Sequence, residues 1–241
     1  MSRLSVLVKG DFDRLNKYNL FTAHFVTLLL WVLLAWFLEG AELRQFMPLI
    51  FLMDSVMMTI LLVGATLFYE KKEHTINSIM ISPVTENEYL LSKVIVNAIN
   101  SLITVLFISA AVYFMKDVTY NYFLLIPAVI LVTMVHTLLG IRLAYSAKDF
   151  TSLLVNFIVY ALLFLMPSIF ASIGVISQKI AQYFILLPPE TSSILISTGF
   201  EDVELWKILV SYGYLLVLSF LLFRFAVKPK FNEYVMKDTG V

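Results

Sequence analysis

The chain alternates between long apolar runs and short polar connections, and six apolar runs follow one another. Each run is close to the roughly 20 helical residues that cross a hydrocarbon layer of about 30 Å. The pattern therefore predicts an all-α integral membrane fold of six transmembrane helices, with one transmembrane domain over residues 21–227. The predicted spans are residues 21–38, 47–69, 94–115, 121–142, 152–176 and 206–227.

The first twenty residues predict an amphipathic helix ahead of the first span. One helical face collects the apolar side chains of Leu4, Leu7, Val8, Phe12 and Leu15. Such a helix is expected to lie along the membrane surface over residues 1–20. Asp11 interrupts the apolar stripe, so a frayed polar leader is the alternative interpretation.

The connection between spans two and three, residues 70–93, has the most specific local signals of the polar segments. Residues 70–81 predict a helix with a short apolar patch formed by Ile76, Ile79 and Met80. We interpret this helix as a docking surface for a soluble partner, and a helix that rests on the membrane surface is the alternative.

Two further signals in this connection predict where its helices end and begin. Pro83 ends the first helix, because a proline keeps the residue before it out of the α region. Thr85 and Glu88 form the S/T-x-x-E pattern of a capping box, which starts a helix that leads directly into span three.

Residues 177–205 form a long connection before the last span. Two apolar pieces, 180–187 and 194–197, are separated by Pro188 and Pro189 and a polar cluster. Neither piece is long enough to cross a bilayer, so the segment predicts short helices joined by proline in a re-entrant or external-surface hairpin.

Composition agrees with a membrane environment. Of the 241 residues, 60% are hydrophobic and 14% are charged, whereas a typical soluble domain has about 25% charged residues. Lys and Arg balance Asp and Glu at seventeen each, so no net positive field predicts nucleic-acid binding. The sequence has no cysteine, which excludes disulfides and thiolate metal sites.

The placement of Lys and Arg predicts the orientation. Thirteen fall on the side of both termini: Arg3, Lys9, Arg14, Lys17, Lys71, Lys72, Lys93, Arg142, Lys148, Arg224, Lys228, Lys230 and Lys237. Four fall on the opposite side: Arg44, Lys116, Lys179 and Lys207. Because positive residues collect in cytoplasmic loops, both termini and a tail over residues 228–241 are predicted to be cytoplasmic.

Three ionisable residues fall within the predicted spans. A charged group in the bilayer interior costs at least about 2.5–3.5 kcal/mol, so Asp54 is expected to face protein or a wet cavity. It is either a functional group or a polar link between helices. His24 favours a structural hydrogen bond, whereas His136 is a candidate for lining a path.

Methionine and aromatic residues supply further candidates for a substrate path: Met57, Met58, Phe157, Tyr160 and Phe164. Such side chains suit an adaptable apolar cavity, but the same helical spacing is typical of ordinary packing or lipid contact. The sequence contains no H-E-x-x-H, no G-x-S-x-G and no Gly-Lys dipeptide. It therefore lacks the motifs of a zinc protease, a serine hydrolase or a phosphate-binding P-loop.

The polar loop resembles the cytoplasmic loop of ABC-2 type permeases, the membrane subunits of ATP-binding cassette exporters. In that family a charged E-x-E-x-G-T stretch leads through a helix to S-P-V-S/T-x-x-E-Y-L-x-x-K. The matching residues run from Tyr69 to Thr75, from Ser82 to Thr85 and from Glu88 to Lys93. His74 stands where the family usually has glycine, which puts a positive φ there in doubt. The opening Leu7 to Asp11 is similar to the bacterial fluoroquinolone export permeases.

This resemblance implies a type V-like ABC-2 exporter fold with an N-terminal interfacial helix, a cytoplasmic coupling helix and a re-entrant segment before the last span. It implies a transport subunit of the bacterial plasma membrane, not an enzyme, that moves a drug, peptide or lipid outward by alternating access. No cofactor would bind directly, because ATP and Mg²⁺ belong to a separate ATPase chain. The other partners would be a second permease copy or homologue and membrane lipids.

The resemblance also implies ATPase coupling by the loop. The residues concerned are Tyr69, Glu70, Glu73, His74, Thr75, Ile76, Ile79, Pro83, Thr85, Glu88 and Tyr89. Two other functions stay open from the sequence alone. One is a proton-driven secondary transporter that uses Asp54 and His136, for which no internal repeat is found. The other is a membrane scaffold that transports nothing.

Overall fold

A computed structural model describes residues 2–236, with the side chains of Ser172 and Gln178 left out. Lys237 and the rest of the predicted tail lie outside the described residues. Within residues 2–236 every regular element is helical, and six segments are long and apolar enough to cross a membrane. The predicted all-α fold with six membrane spans is confirmed.

The helices follow one another with short connections. In chain order they are α1 (Arg3–Lys17), α2 (Leu20–Phe37), α3 (Gly40–Met53), α4 (Thr59–Lys72), α5 (Thr75–Met80), α6 (Glu86–Lys116), α7 (Tyr122–Ser146), α8 (Phe150–Tyr160), α9 (Met166–Ser172), α10 (Gln178–Ala181), α11 (Pro188–Ser197), α12 (Leu205–Leu221) and α13 (Lys228–Met236). Three π-helical turns, Asp54–Met58, Ala161–Leu165 and Leu222–Val227, join α3 to α4, α8 to α9 and α12 to α13. A 3₁₀ turn, Gln182–Leu186, follows α10.

The six spans are therefore α2, α3–α4, α6, α7, α8–α9 and α12–α13. Spans two and four form the centre, with 61% and 67% of their most apolar stretch buried, against 17% for spans one and six. Gly140 of span four permits the close approach of this central pair. A Cβ atom there would lie 2.5 Å from Val63 Cγ1 and 3.1 Å from the Ile60 Cα. The outer spans keep exposed apolar faces, as lipid contact requires.

Several span boundaries differ from the hydropathy prediction. The helix of span two begins at Gly40, ahead of the apolar run that starts at residue 47, and the helix of span three begins at Glu86, at the predicted cap and ahead of residue 94. Hydropathy detects only the apolar part of a helix, whereas backbone hydrogen bonding continues into polar sequence until a cap ends it. Span five ends earlier than predicted, at Ala171, and a turn with Gly174 at φ +77° follows.

The predicted helix over residues 70–81 is wrong in its extent, because the chain breaks within it. The end of α4 takes Glu70 to Lys72, and α5 begins only at Thr75. Between them His74 adopts φ +53° and ψ +19°, the left-handed conformation that the sequence had put in doubt. Histidine has no branch at Cβ and tolerates this conformation better than a β-branched residue.

The capping box at the start of span three is confirmed. The Glu88 backbone N–H donates to Thr85 Oγ1 at 3.3 Å, and the Thr85 backbone N–H donates to Glu88 Oε2 at 2.8 Å. We call residues 73–85 the connecting loop. The end of the bundle that holds this loop and α1 is the proximal end, and the end that holds α10 and α11 is the distal end.

At the distal end, the proline pair follows one short helical segment, α10 with its 3₁₀ turn, and opens another, as the sequence predicted. Pro188 and Pro189 begin α11, which unites the polar cluster and the second apolar piece in one helix. Proline suits the first helical positions because no intrahelical partner exists there for its missing N–H. The α11 helix buries Leu195 and Ile196 against neighbouring spans. The depth of residues 177–205 in a bilayer stays a prediction.

Candidate functional site

Four charged residues, three of them fully buried, meet at the proximal end. Asp11 and Arg14 come from α1, Glu70 lies two residues before the end of α4, and Lys93 lies in the second turn of α6. Asp11, Glu70 and Lys93 are at most 2% exposed. We call these four residues the proximal ion cluster.

The charges of the proximal ion cluster alternate. Lys93 Nζ lies 2.6 Å from Asp11 Oδ1 and 2.5 Å from Glu70 Oε1. Arg14 Nη2 lies 2.6 Å from the same Asp11 oxygen, and Arg14 Nε lies 2.8 Å from Glu70 Oε1. Each cation thus contacts both carboxylates, so two positive charges balance two negative charges.

Two hydroxyl groups complete the hydrogen bonding of the carboxylates. Ser92 Oγ donates to Asp11 Oδ2 at 2.8 Å, and the Tyr89 hydroxyl donates to Glu70 Oε2. Buried ions are tolerated only when they are paired and hydrogen-bonded, and removal of one partner typically costs about 3–5 kcal/mol. The proximal ion cluster therefore holds α1, α4 and α6 in one arrangement.

The ionisation of Asp11 depends on its partners. Burial alone would raise the pKa of this carboxyl, but Lys93 and Arg14 outweigh burial and lower the pKa below its ordinary value. A depressed carboxyl pKa stabilises the folded state above the unfolded pKa. The contribution is therefore complete at neutral pH and is lost as the pH falls below about 4.

Helix α1 also contacts both ends of the connecting loop. Lys17 Nζ lies 2.8 Å from the Glu73 carboxylate, where the loop begins. Arg3 Nη1 donates to the Pro83 carbonyl at 2.7 Å, close to where the loop ends. The connecting loop is thus bound to α1 at two points, and the flanking helices α4 and α6 contribute residues to the ion cluster. The loop, α1 and the adjoining ends of spans two and three therefore form one unit.

The structure divides the predicted coupling residues into inward and outward sets. Glu73, His74, Pro83 and Thr85 are exposed, whereas Tyr69, Thr75, Ile79 and Glu88 are half-buried. Three others are fully buried, namely Glu70, Ile76 and Tyr89.

The predicted apolar docking patch is therefore corrected. Ile76 is fully buried in a core cluster with Leu67 and Leu90, and Ile79 and Met80 pack against that cluster. The patch attaches α5 to the protein because the chain reversal at His74 turns its apolar face inward. The apolar side chain that the loop exposes is Ile81, at 91%.

The sequence interpretation missed Asp11, Arg14 and Lys93 as members of a site. Asp11 inside an apolar stripe was the available signal, since an acid on a buried helix face requires a cation. Arg14 entered only the count of positive charges, and Lys93 entered that count and the loop motif, both without a partner. The ion pair between Asp11 and Lys93 joins residues 82 positions apart, and helical periodicity cannot reveal such a pair.

A second polar group lies deeper, between spans one, two and three. The buried His24 Nε2–H donates to Asp54 Oδ1 at 2.8 Å, and Asn100 Nδ2 donates to His24 Nδ1 at 2.9 Å. Thr104 Oγ1 is 3.3 Å from His24 Nε2. Asp54 opens a π-helical turn, a feature that often marks functional positions. Asp54 thus faces protein, as expected.

Three other path candidates, His136, Tyr160 and Phe164, form contacts of their own. His136 Nδ1–H donates to the Val132 carbonyl of its own helix at 2.8 Å, and its ring contacts Tyr160 edge-on. Tyr160 also stacks on Phe164, which is partly exposed. The geometry thus pairs Asp54 with His24 and not with His136.

The remaining candidates belong to the packing of the helices. Phe157 is buried in the main core, and Met57 packs against it, while Met58 is half-buried. In the described part of the chain, His, Asp and Glu do not gather in groups of three that could hold a metal ion.

Comparison with known proteins gives consistent matches. The family model for the fluoroquinolones export permease protein family matches residues 2–239. Two proteins of Mycobacterium tuberculosis, from strains CDC 1551 / Oshkosh and ATCC 25618 / H37Rv, are each named as a fluoroquinolones export permease protein. Each is 25% identical over 196 residues, which cover 80% of this chain and 80% of the relative.

The comparison with solved structures found no match. The family match spans all six membrane helices and both polar groups described above. The chain is therefore an integral membrane transport protein, and it belongs to the fluoroquinolones export permease protein family.

Proposed function

We propose that this chain is the membrane half of an ATP-binding cassette exporter and that its proximal end faces the cytoplasm. The connecting loop then receives a separate ATPase subunit, which binds ATP and Mg²⁺. The observation that carries this proposal is the proximal ion cluster, because it fixes the loop to α1 and to two spans at once. The excess of Lys and Arg at this end supports the orientation.

The contact surface for the ATPase would be the exposed side of the loop. Ile81, at 91% exposed, would provide an apolar contact, and the exposed Glu73 and His74 at the start of the loop would provide polar contacts. Protein–protein interfaces combine an apolar core with a polar rim in this way. The buried residues Glu70, Ile76 and Tyr89 would support this surface from behind.

Movement of the ATPase would reach the spans through the same unit. A push on the loop is transmitted to α4 through Glu70 and to α6 through Lys93, while α1 slides along the membrane surface with them. ATP can shift the equilibrium between inward-open and outward-open states only if the docked ATPase contacts the two states differently. Because the loop is rigidly connected to α4 and α6, its surface would move with these spans and would meet the ATPase differently in the two states.

The substrate class follows from the named relatives. We propose that the chain, with a second permease copy or a homologue, exports fluoroquinolones or similar amphipathic drugs. The exposed apolar faces of spans one and six, represented by Leu30 and Phe220, would contact lipid or that second permease.

Co-purification tests the ATPase interaction. Tagged wild-type chain, solubilised from its native membrane, is expected to bring down an ABC ATPase. Ile81→Asp is expected to lower the recovered ATPase at least 10-fold, because it places a charge in the apolar contact without touching the core.

Asn87→Asp is the matched control, since Asn87 is exposed on the first turn of α6 at the same end. It adds the same charge and should leave ATPase recovery unchanged. Absence of any ABC ATPase from the wild-type preparation would contradict the proposed function.

A further inference from the structure

The distal end contains a large open cavity. Its volume is about 1010 Å³, and its walls come from the start of α3, from α11, from residues 200–204 and from the start of span six. Drug-sized ligands occupy clefts of about 300–1,000 Å³, so the cavity has room for one. Apolar side chains on its walls include Phe46, Leu49 and Ile194.

Charged residues also line this cavity, and their balance is acidic. Four carboxylates face two cations: Glu190, Glu201, Asp202, Glu204, Arg44 and Lys207. Both cations already have partners. Lys207 Nζ lies 3.4 Å from Glu204 Oε2, and Arg44 Nη2 donates to the Phe200 carbonyl at 3.3 Å. The cavity therefore has an excess of negative charge.

Glu190 is the carboxylate that is set into the wall. It lies in the first turn of α11, and its Oε2 atom is buried without a hydrogen-bond partner among the described residues. Ser168 hydrogen-bonds to the side chain, but burial dominates and raises the pKa of the carboxyl. A buried carboxylate oxygen without a partner is costly, and a cationic group in the cavity would relieve that cost.

We infer that the distal cavity binds an amphipathic drug by its protonated amine, with Glu190 as the ion-pair partner and the apolar walls holding the ring system. Asp202 at the rim would raise the local concentration of cations. This inference rests on the proposed export function and adds that the protein recognises the protonated amine of the substrate. If the distal end is external, the cavity is the place from which the substrate leaves.

Direct binding to the purified full-length chain in nanodiscs tests this inference without any ATPase. The probes are a fluoroquinolone with a free piperazine amine and its N-acetyl derivative, which lacks the positive charge. Wild-type protein should bind the amine probe at least 10-fold more tightly than the N-acetyl probe. Glu190→Gln should abolish this preference by weakening the amine probe alone.

Glu201→Gln is the matched control, because it removes one carboxylate from the exposed rim of the same cavity. It should change the affinity for the amine probe less than about threefold, as screened surface charges do. Equal affinity of the two probes for wild-type protein, or equal losses in Glu190→Gln and Glu201→Gln, would overturn the assignment of Glu190.

The pH dependence of wild-type binding gives a second readout that needs no variant. Because the Glu190 pKa is raised, the preference for the amine probe should disappear at a higher pH than an ordinary glutamate would require. A preference that persists unchanged down to pH 4 would overturn the inference. None of these results depends on ATPase recovery, so a failure here is distinguishable from a failure of the proposed export function.

Discussion

At the scale of single residues, the carboxylates of the proximal ion cluster and Asp54 are buried in contact with their partners. Lys93 contacts two carboxylates, and each of those carboxylates also contacts Arg14. The deeper Asp54 has His24 as its partner. The two groups differ in function, because the first joins the connecting loop to the bundle whereas the second links three spans inside it.

Lys93→Met is expected to destabilise the protein by about 3–5 kcal/mol, because two buried carboxylates lose a cation and retain only Arg14. Methionine keeps most of the side-chain volume, so the loss reflects charge. Unfolding by denaturant in detergent micelles measures the difference. Lys72→Met, at an exposed position of the same end, should change stability by less than about 0.5 kcal/mol, and equal losses would refute the pairing.

Substitutions of Asp54 separate a structural role from a titrating one. Asp54→Asn keeps a hydrogen-bonding partner for His24 and should cost about 1 kcal/mol with export retained. Asp54→Leu leaves His24 without its acceptor, and it should reduce both stability and export. Thermal stability and drug export by cells are the measurements. A stable Asp54→Asn protein without export would support a proton-coupled role instead.

At the scale of elements, the central pair of spans two and four determines how the other helices are arranged. These spans approach closely at Gly140, which has no side chain to separate them. The connecting loop extends from the end of span two, and its reversal at His74 turns α5 back onto the core. A shift of span two is therefore also a shift of the loop.

Gly140→Ala tests the close approach. Its Cβ would collide with Val63 and press on the Ile60 backbone, and overpacking of this kind costs about 1–3 kcal/mol. Gly213→Ala in span six is the matched control, because nothing lies within 4 Å of its added Cβ. Equal melting temperatures for the two variants would show that spans two and four are farther apart than described.

At the scale of the whole molecule, the number of spans and the capping box at Thr85 could be predicted from local sequence. Hydropathy and helix capping depend on residues that are close together in the chain. Which of the loop residues point into the protein could not be predicted in this way. Glu70, Ile76 and Tyr89 point inward because α1 and span three cover them, and a single sequence does not reveal that contact.

The same limit applies to the ion cluster and to the distal end. Asp11 weakened the prediction of an amphipathic helix only because its partner Lys93 was unknown. The proline pair at residues 188 and 189 was interpreted as a junction between short helices, and it does begin the second of them, α11. The packing of Leu195 and Ile196 of α11 in the core could not be predicted from local sequence.

We expect the proximal ion cluster to transmit ATPase movement to the spans. The most direct test measures drug exported per ATP hydrolysed in proteoliposomes that contain the chain and its co-purified ATPase. Glu70→Gln removes one buried charge, and Asp13→Asn removes one exposed charge from α1 as a control. We expect Glu70→Gln to keep ATP hydrolysis but lower this ratio at least fivefold, with Asp13→Asn unchanged. A wild-type ratio in Glu70→Gln would contradict the claim.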